Sequence, residues 1–139
     1  MRLADLEPKF FRYDIHVELV TVIVGDGQTW RECGCPTEEV TRLREYHVDV
    51  ALLTEAQGVR FLCPKCYVVN GGPVGTHCID VSFAGRGVPA GHGTRSHGED
   101  RRWAASGTGL SDLTLSPSIL VEGGCAWHGH LTQGAVTTC

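Results

Sequence analysis

Phe61-Leu62-Cys63-Pro64-Lys65-Cys66 is the stretch on which the fold turns. A Cys-x-x-Cys with proline inside it forms a tight knuckle, in which two thiolates and nearby backbone N–H groups converge on one point. Such a pair is half of a tetrahedral Zn2+ site, so the other half has to come from elsewhere in the chain. Gly124-Cys125-Ala126-Trp127-His128 repeats the two-residue spacing. Cys63, Cys66, Cys125 and His128 are therefore the expected ligands, a Cys3His set that closes a loop of about sixty residues. His77 is the rival ligand: it follows the knuckle on a strand able to fold back, and would replace His128 or Cys125. Trp103 and Trp127 are expected to cover the site and exclude water.

Working outward, Cys33-Gly34-Cys35 offers a second half-site, with Cys78 as a partner, although two ordinary reduced thiols beside a turn explain the pair as well. Cys139 reads as a bystander. His92 and His97 sit in a glycine-rich loop and need no ligand role. His130, two residues beyond His128, should face the other way on a strand.

Around the knuckle the chain reads as short strands. Phe11, Tyr13, Ile15, Val17 and Leu19 alternate with charged residues, a period of two that marks a half-buried strand. The pattern continues through Val20–Val24. Gly25-Asp26-Gly27 then turns it towards a second strand near Thr29–Glu32, giving a hairpin. Thr37–Tyr46 is the expected α-helix, with Thr37 as its cap, Glu38 and Glu39 at its positive end, and Val40, Leu43 and His47 on one face. Val48–Leu53 reads as strand, Thr54–Gln57 as one helical turn stopped by Gly58, and Val59–Leu62 as the strand entering the knuckle. His77, Ile79, Val81 and Phe83 alternate in a further strand. Ala84–Asp100 is the longest stretch expected to lack structure. Trp103 should re-enter the core, Pro117 should mark an edge or bend, and Leu131–Thr138 should be a last strand.

The expected fold is thus mainly β with one short helix, a small single domain over residues 1–139 in which zinc-ribbon-like knuckles join β-hairpins. Residues 1–58 form a hairpin and helix portion, and residues 59–139 the knuckle portion. The composition agrees. Hydrophobic residues make up 42% of the chain, ordinary for a globular protein, while eighteen glycines and six prolines favour loops and short strands over long helices. A small, loop-rich core gains from a metal cross-link. Seven cysteines cannot all pair as disulfides, and Met1–Pro8 carries no apolar secretory core, so reduced thiols and metal binding are expected. The net charge of −4 with interspersed signs argues against a nucleic-acid partner, and no run approaches membrane-spanning length.

From Phe61 onward the order of features looks like one known arrangement. Phe61-Leu-Cys-Pro-Lys-Cys66, His77, Trp103, Leu113-Thr-Leu-Ser-Pro-Ser-Ile119 and Cys125-Ala-Trp-His128 ahead of Leu131-Thr-Gln-Gly134 resemble a domain-of-unknown-function family of small zinc-knuckle proteins of tailed phages and prophages. Some of its members sit in bacterial operons with ubiquitin-like conjugation genes. The likeness spans roughly Val59–Val136. It implies a metal role for Cys63, Cys66, Cys125 and His128, with His77 a further participant. This chain departs from the commoner pattern in an enlarged loop around Gly87–Gly98, and in the separation of Cys125 from His128 where many relatives have adjacent Cys-His.

Three functional classes follow. The first is a non-enzymatic, zinc-stabilised structural or interaction protein of a phage, a capsid or tail accessory whose partners are other protein subunits or further copies of itself. Such a protein is made in the host cytoplasm and carried in the virion. The second is a zinc hydrolase with three protein ligands and a metal-bound water. It would need a carboxylate base, for which Asp80, Asp112 and Glu122 are the candidates, and His-Glu-x-x-His does not occur. The third is a binding module in a ubiquitin-like modification or phage–host system.

Overall fold

A computed structural model of the chain describes residues 1–23 and 37–139. Cys33, Cys35, the Gly25–Gly27 turn and the strand expected near Thr29–Glu32 lie outside the described residues. The protein is mainly β with one short helix. In chain order the strands are β1 (Lys9–Ile23), β2 (Thr37–Val50), β3 (Gly58–Leu62), β4 (Cys78–Ser82), β5 (Thr94–Ser96), β6 (Glu99–Arg101), β7 (Ala104–Ser106), β8 (Thr114–Leu120), β9 (His128–Thr132) and β10 (Ala135–Thr138), with helix α1 (Pro64–Asn70) between β3 and β4. The chain divides into two compact units, one made of Met1–Arg12 with Val48–Cys139 and the other of Tyr13–His47. Among the described residues no helix is long and apolar enough to cross a membrane.

Two four-stranded sheets form among the described residues. The first has the strand order β2-β1-β3-β4 and the second β10-β9-β8-β7, while β5 and β6 form a separate two-stranded ribbon. Period-two alternation puts Val59 and Phe61 of β3 and Ile79 and Val81 of β4 on the buried face. Leu115, Ile119, Leu131 and Val136 of the second sheet belong to the same hydrophobic cluster, so one core serves both sheets. Phe61 meets Trp127 edge-on, with ring centroids 6.4 Å apart at 87°, which ties the end of β3 to the start of β9. Trp103 re-enters the core as expected: it is 1% exposed, bridges to Phe83, and its Nε1 donates to the Ser118 carbonyl at 3.1 Å.

Three expectations need correction. Thr37–Tyr46 is strand, not helix. Val40, Thr41, Tyr46 and Val48 are β-branched or aromatic, and β1 supplies an adjacent ladder, so pairing outweighs a weak helical face. Within Ala84–Asp100 the chain forms the β5–β6 hairpin, turning at His97 and Gly98, which both have positive φ. Leu131–Thr138 is the end of one strand and the whole of the next, reversing at Gln133 and Gly134 with φ of 47° and 74°. A side chain at Gly134 would be strained and would meet the Ser111 carbonyl, so glycine is required there.

Candidate metal centre

The β3–β4 hairpin places the first two ligands. Its register runs from Gly58↔Ser82 to Leu62↔Cys78. One step further, Cys63 N–H donates to the His77 carbonyl at 2.9 Å, so His77 sits directly across the ladder from Cys63. Pro64 then starts α1, where its missing N–H and fixed φ are no cost, and the helix carries Cys66 back beside Cys63. The helix ends at Gly71 in the left-handed conformation, with a loop returning to His77. Cys125 comes from the other sheet. It lies in the connection between β8 and β9, where Gly123, Gly124 and Ala126 all have positive φ and Ala126 N–H donates to the Gly123 carbonyl at 3.0 Å. Lys65 Nζ donates to the Cys125 carbonyl at 2.9 Å and so joins the two loops directly.

The result is one group. Cys63, Cys66, His77 and Cys125 bring their ligand atoms within 4.8 Å of one another, the one such group found among the described residues. Cys63 Sγ lies 3.4 Å from Cys125 Sγ, and His77 Nε2 lies 3.4 Å from the same sulfur. Metal–sulfur bonds of about 2.3 Å and metal–nitrogen bonds of about 2.0 Å in a tetrahedron put ligand atoms roughly 3.5 Å apart, so the set fits one ion. The cysteines are free thiols. Cys63 is buried, Cys66 and Cys125 are half-buried, and His77 is exposed, so the centre opens to the surface on its histidine side.

The Cys3His composition matches the expectation from sequence, with His77 in the place proposed for His128. His128 is the first residue of β9, opposite Leu120, and its Nε2 lies 3.0 Å from Ser118 Oγ. The reason is local. Trp127 is drawn into the core, 1% exposed, and the chain runs straight on into strand, so the third residue after Cys125 never returns to it. The signal that singles out His77 is hairpin register: the partner of Cys63 can be counted from the turn once β3 and β4 are paired. Trp127 holds its place beside the knuckle through Phe61, whereas Trp103 packs at the Phe83 bridge. Cys78 and Cys139 are exposed and outside the group. The three carboxylates considered above are outside it too. Asp80 takes two bonds from Arg60 at 2.7 and 3.0 Å, Asp112 accepts from Thr108 and Gly109, and Glu122 accepts from Gly98 N–H.

The thiols are unequal. Burial pushes the Cys63 thiol up to about 12, against a backbone N–H from Cys66 that pulls it down. Burial also raises Cys125, but bonds from His77 and the Trp127 N–H outweigh it and bring Cys125 down to about 7. A metal ion needs both as thiolates. When an ion binds near neutral pH, the Cys63 thiol therefore releases its proton to solvent, and below about 7 Cys125 releases another. Metal affinity should fall as pH falls, by at least about tenfold per unit near neutrality and more steeply below about 7, where Cys125 is also protonated. Competition against a coloured chelator at a series of pH values measures this, and a flat profile would exclude thiolate ligation.

No protein-family model, no curated protein and no solved structure matches the chain.

Proposed function

We propose that this chain is a non-enzymatic, zinc-stapled interaction protein, encoded by a phage and carried in the virion as a capsid or tail accessory component. The observation that carries the reading is the closed ligand set: four protein side chains converge on one point, and their donors are three thiols and an imidazole. That chemistry suits Zn2+, and a filled tetrahedron is the structural kind of zinc site. The ion's role is then to fix the fold, because binding only the folded chain adds directly to stability. The likeness of Phe61–Gly134 to phage zinc-knuckle proteins supports the source.

The Tyr13–His47 unit supplies a surface for partners. Arg42 and Arg44 both reach Glu18, at 3.5 Å each, and His16 contacts Tyr46, so even-numbered residues of β1 and β2 share one face. Val17, Leu19 and Leu43 are consequently together on the opposite face, 68%, 65% and 64% exposed. A two-stranded ribbon is marginal on its own in water, and an apolar stripe along one face gives it reason to seek another protein surface.

Two measurements test this. Purified particles from the source should contain the chain by mass spectrometry, and their lacking it would end the virion reading. Leu19→Glu with Leu43→Glu should cost no more than about 1 kcal/mol of stability, because both residues are exposed. The same double variant should abolish incorporation into particles. Normal incorporation would move the partner surface elsewhere.

A further inference from the structure

A cleft of about 610 Å3 lies against the metal centre in the larger unit. Two of its walls are the ligand loops themselves: Pro64 and Lys65 sit between Cys63 and Cys66, and Trp127 follows Cys125. Val68 and Val69 of α1 line it from one side, and Val136 of β10 lines it from the other. Val68 and Val69 are 67% and 77% exposed. The chain is acidic overall, at −4, yet no carboxylate side chain lines this cleft, while Lys65 and the imidazole of His128 do. One N–H of the Lys65 ammonium is spent on the Cys125 carbonyl, which leaves two for a ligand.

We infer that this cleft receives a protein segment in which a bulky apolar side chain is flanked by carboxylates. The apolar side chain packs on Val68 and Val69, and an acidic neighbour meets Lys65. Strand addition is not the mode. The outward edge of β10 is already taken where Val136 N–H donates to the Met1 carbonyl at 2.8 Å and Ala135 bridges to Arg2, so recognition falls to side chains. The inference rests on the metal reading for the cleft's shape, because the ion holds its two loops together. Peptide and metal should therefore strengthen each other's binding by the same factor.

The test uses the full metal-loaded chain and a fluorescent peptide, Glu-Asp-Leu-Phe-Asp-Glu, followed by anisotropy, with metal content measured on the same samples. Saturable binding is expected, weakened at least about tenfold when the acids become Gln and Asn or when Leu-Phe becomes Ser-Ser. Val69→Glu should weaken binding by about tenfold or more without changing metal content or the melting temperature. Val74→Glu, at a residue 87% exposed and outside the cleft, should leave binding unchanged. No saturation by about 1 mM peptide, equal binding of the neutral peptide, or equal effects of the two glutamate variants would each overturn the inference. A chain that takes up no metal yet binds the acidic peptide removes the metal reading and leaves the cleft. A loaded chain that fails to bind does the reverse.

Discussion

His77→Ala should cost the protein its metal, and His128→Ala should not. Structural zinc contributes about 10–16 kcal/mol in small metal-dependent domains, so each of four ligands accounts for roughly 3 kcal/mol. Losing one should lower affinity by about a hundredfold or more. His128 makes a single contact of 3.0 Å with Ser118, and its removal should cost about 1 kcal/mol of stability with metal content intact. Cobalt substitution reads the difference directly, because thiolate-to-metal absorption at the Cys63, Cys66 and Cys125 sulfurs weakens only when the ligand set is broken. The opposite result, with His128→Ala losing the metal, would place the fourth ligand on β9 and undo the description of the centre. The same magnitudes bear on chelation. Single domains are stable by about 5–15 kcal/mol, comparable with the ion's contribution, so stripping the metal should bring the chain to the edge of unfolding.

Trp127→Ala is the second large effect. The indole is 1% exposed, stands edge-on to Phe61, and donates from Nε1 to Thr138 Oγ1 at 3.0 Å. Truncating a buried tryptophan typically costs about 3–5 kcal/mol, which is a large part of a small domain's stability. The cavity would open beside Cys125, whose sulfur is bonded by the Trp127 N–H, so metal affinity should fall with stability. Gly129→Ala attacks the same indole from the other side. A Cβ there would clash with Trp127 Cζ2 and with the Thr137 carbonyl, so the ring or the β9–β10 ladder must move. Urea titration of both variants should show large drops in midpoint. A loss below about 1 kcal/mol for Trp127→Ala would mean that the two sheets are not held together through this ring.

Much of the fold was legible in the sequence because its cues are local. Alternation in His77–Phe83 reports a strand with one buried face, alternation in Phe11–Leu19 reports a strand although its stripe is exposed from Val17 on, and Cys63-Pro64-Lys65-Cys66 reports a knuckle whatever surrounds it. Thr37–Val50 misled for the complementary reason. Most of its residues are exposed on both faces, so hydrophobic period carries no information and the partner strand decides. The β5–β6 and β9–β10 turns were missed because His97-Gly98 and Gln133-Gly134 are not the Asn-Gly or Asp-Gly pairs that mark such a turn most strongly. At the metal centre, three cysteines were recognisable by type and spacing. The histidine was legible only as a choice between His128 and His77, because its place follows from register across a hairpin rather than from distance along the chain.

That arrangement also sets an order of events. Cys63, Cys66 and His77 fall within a single helix-containing hairpin, whereas Cys125 is separated from Cys63 by 62 positions. A nascent polypeptide therefore exposes a complete three-donor cup long before its fourth donor has been synthesised. An ion captured early would wait in that cup, and the late thiolate would act as a latch when the second sheet arrives. Scarcity of metal during translation should accordingly be felt at the joining of the halves, after each has made its own local strands.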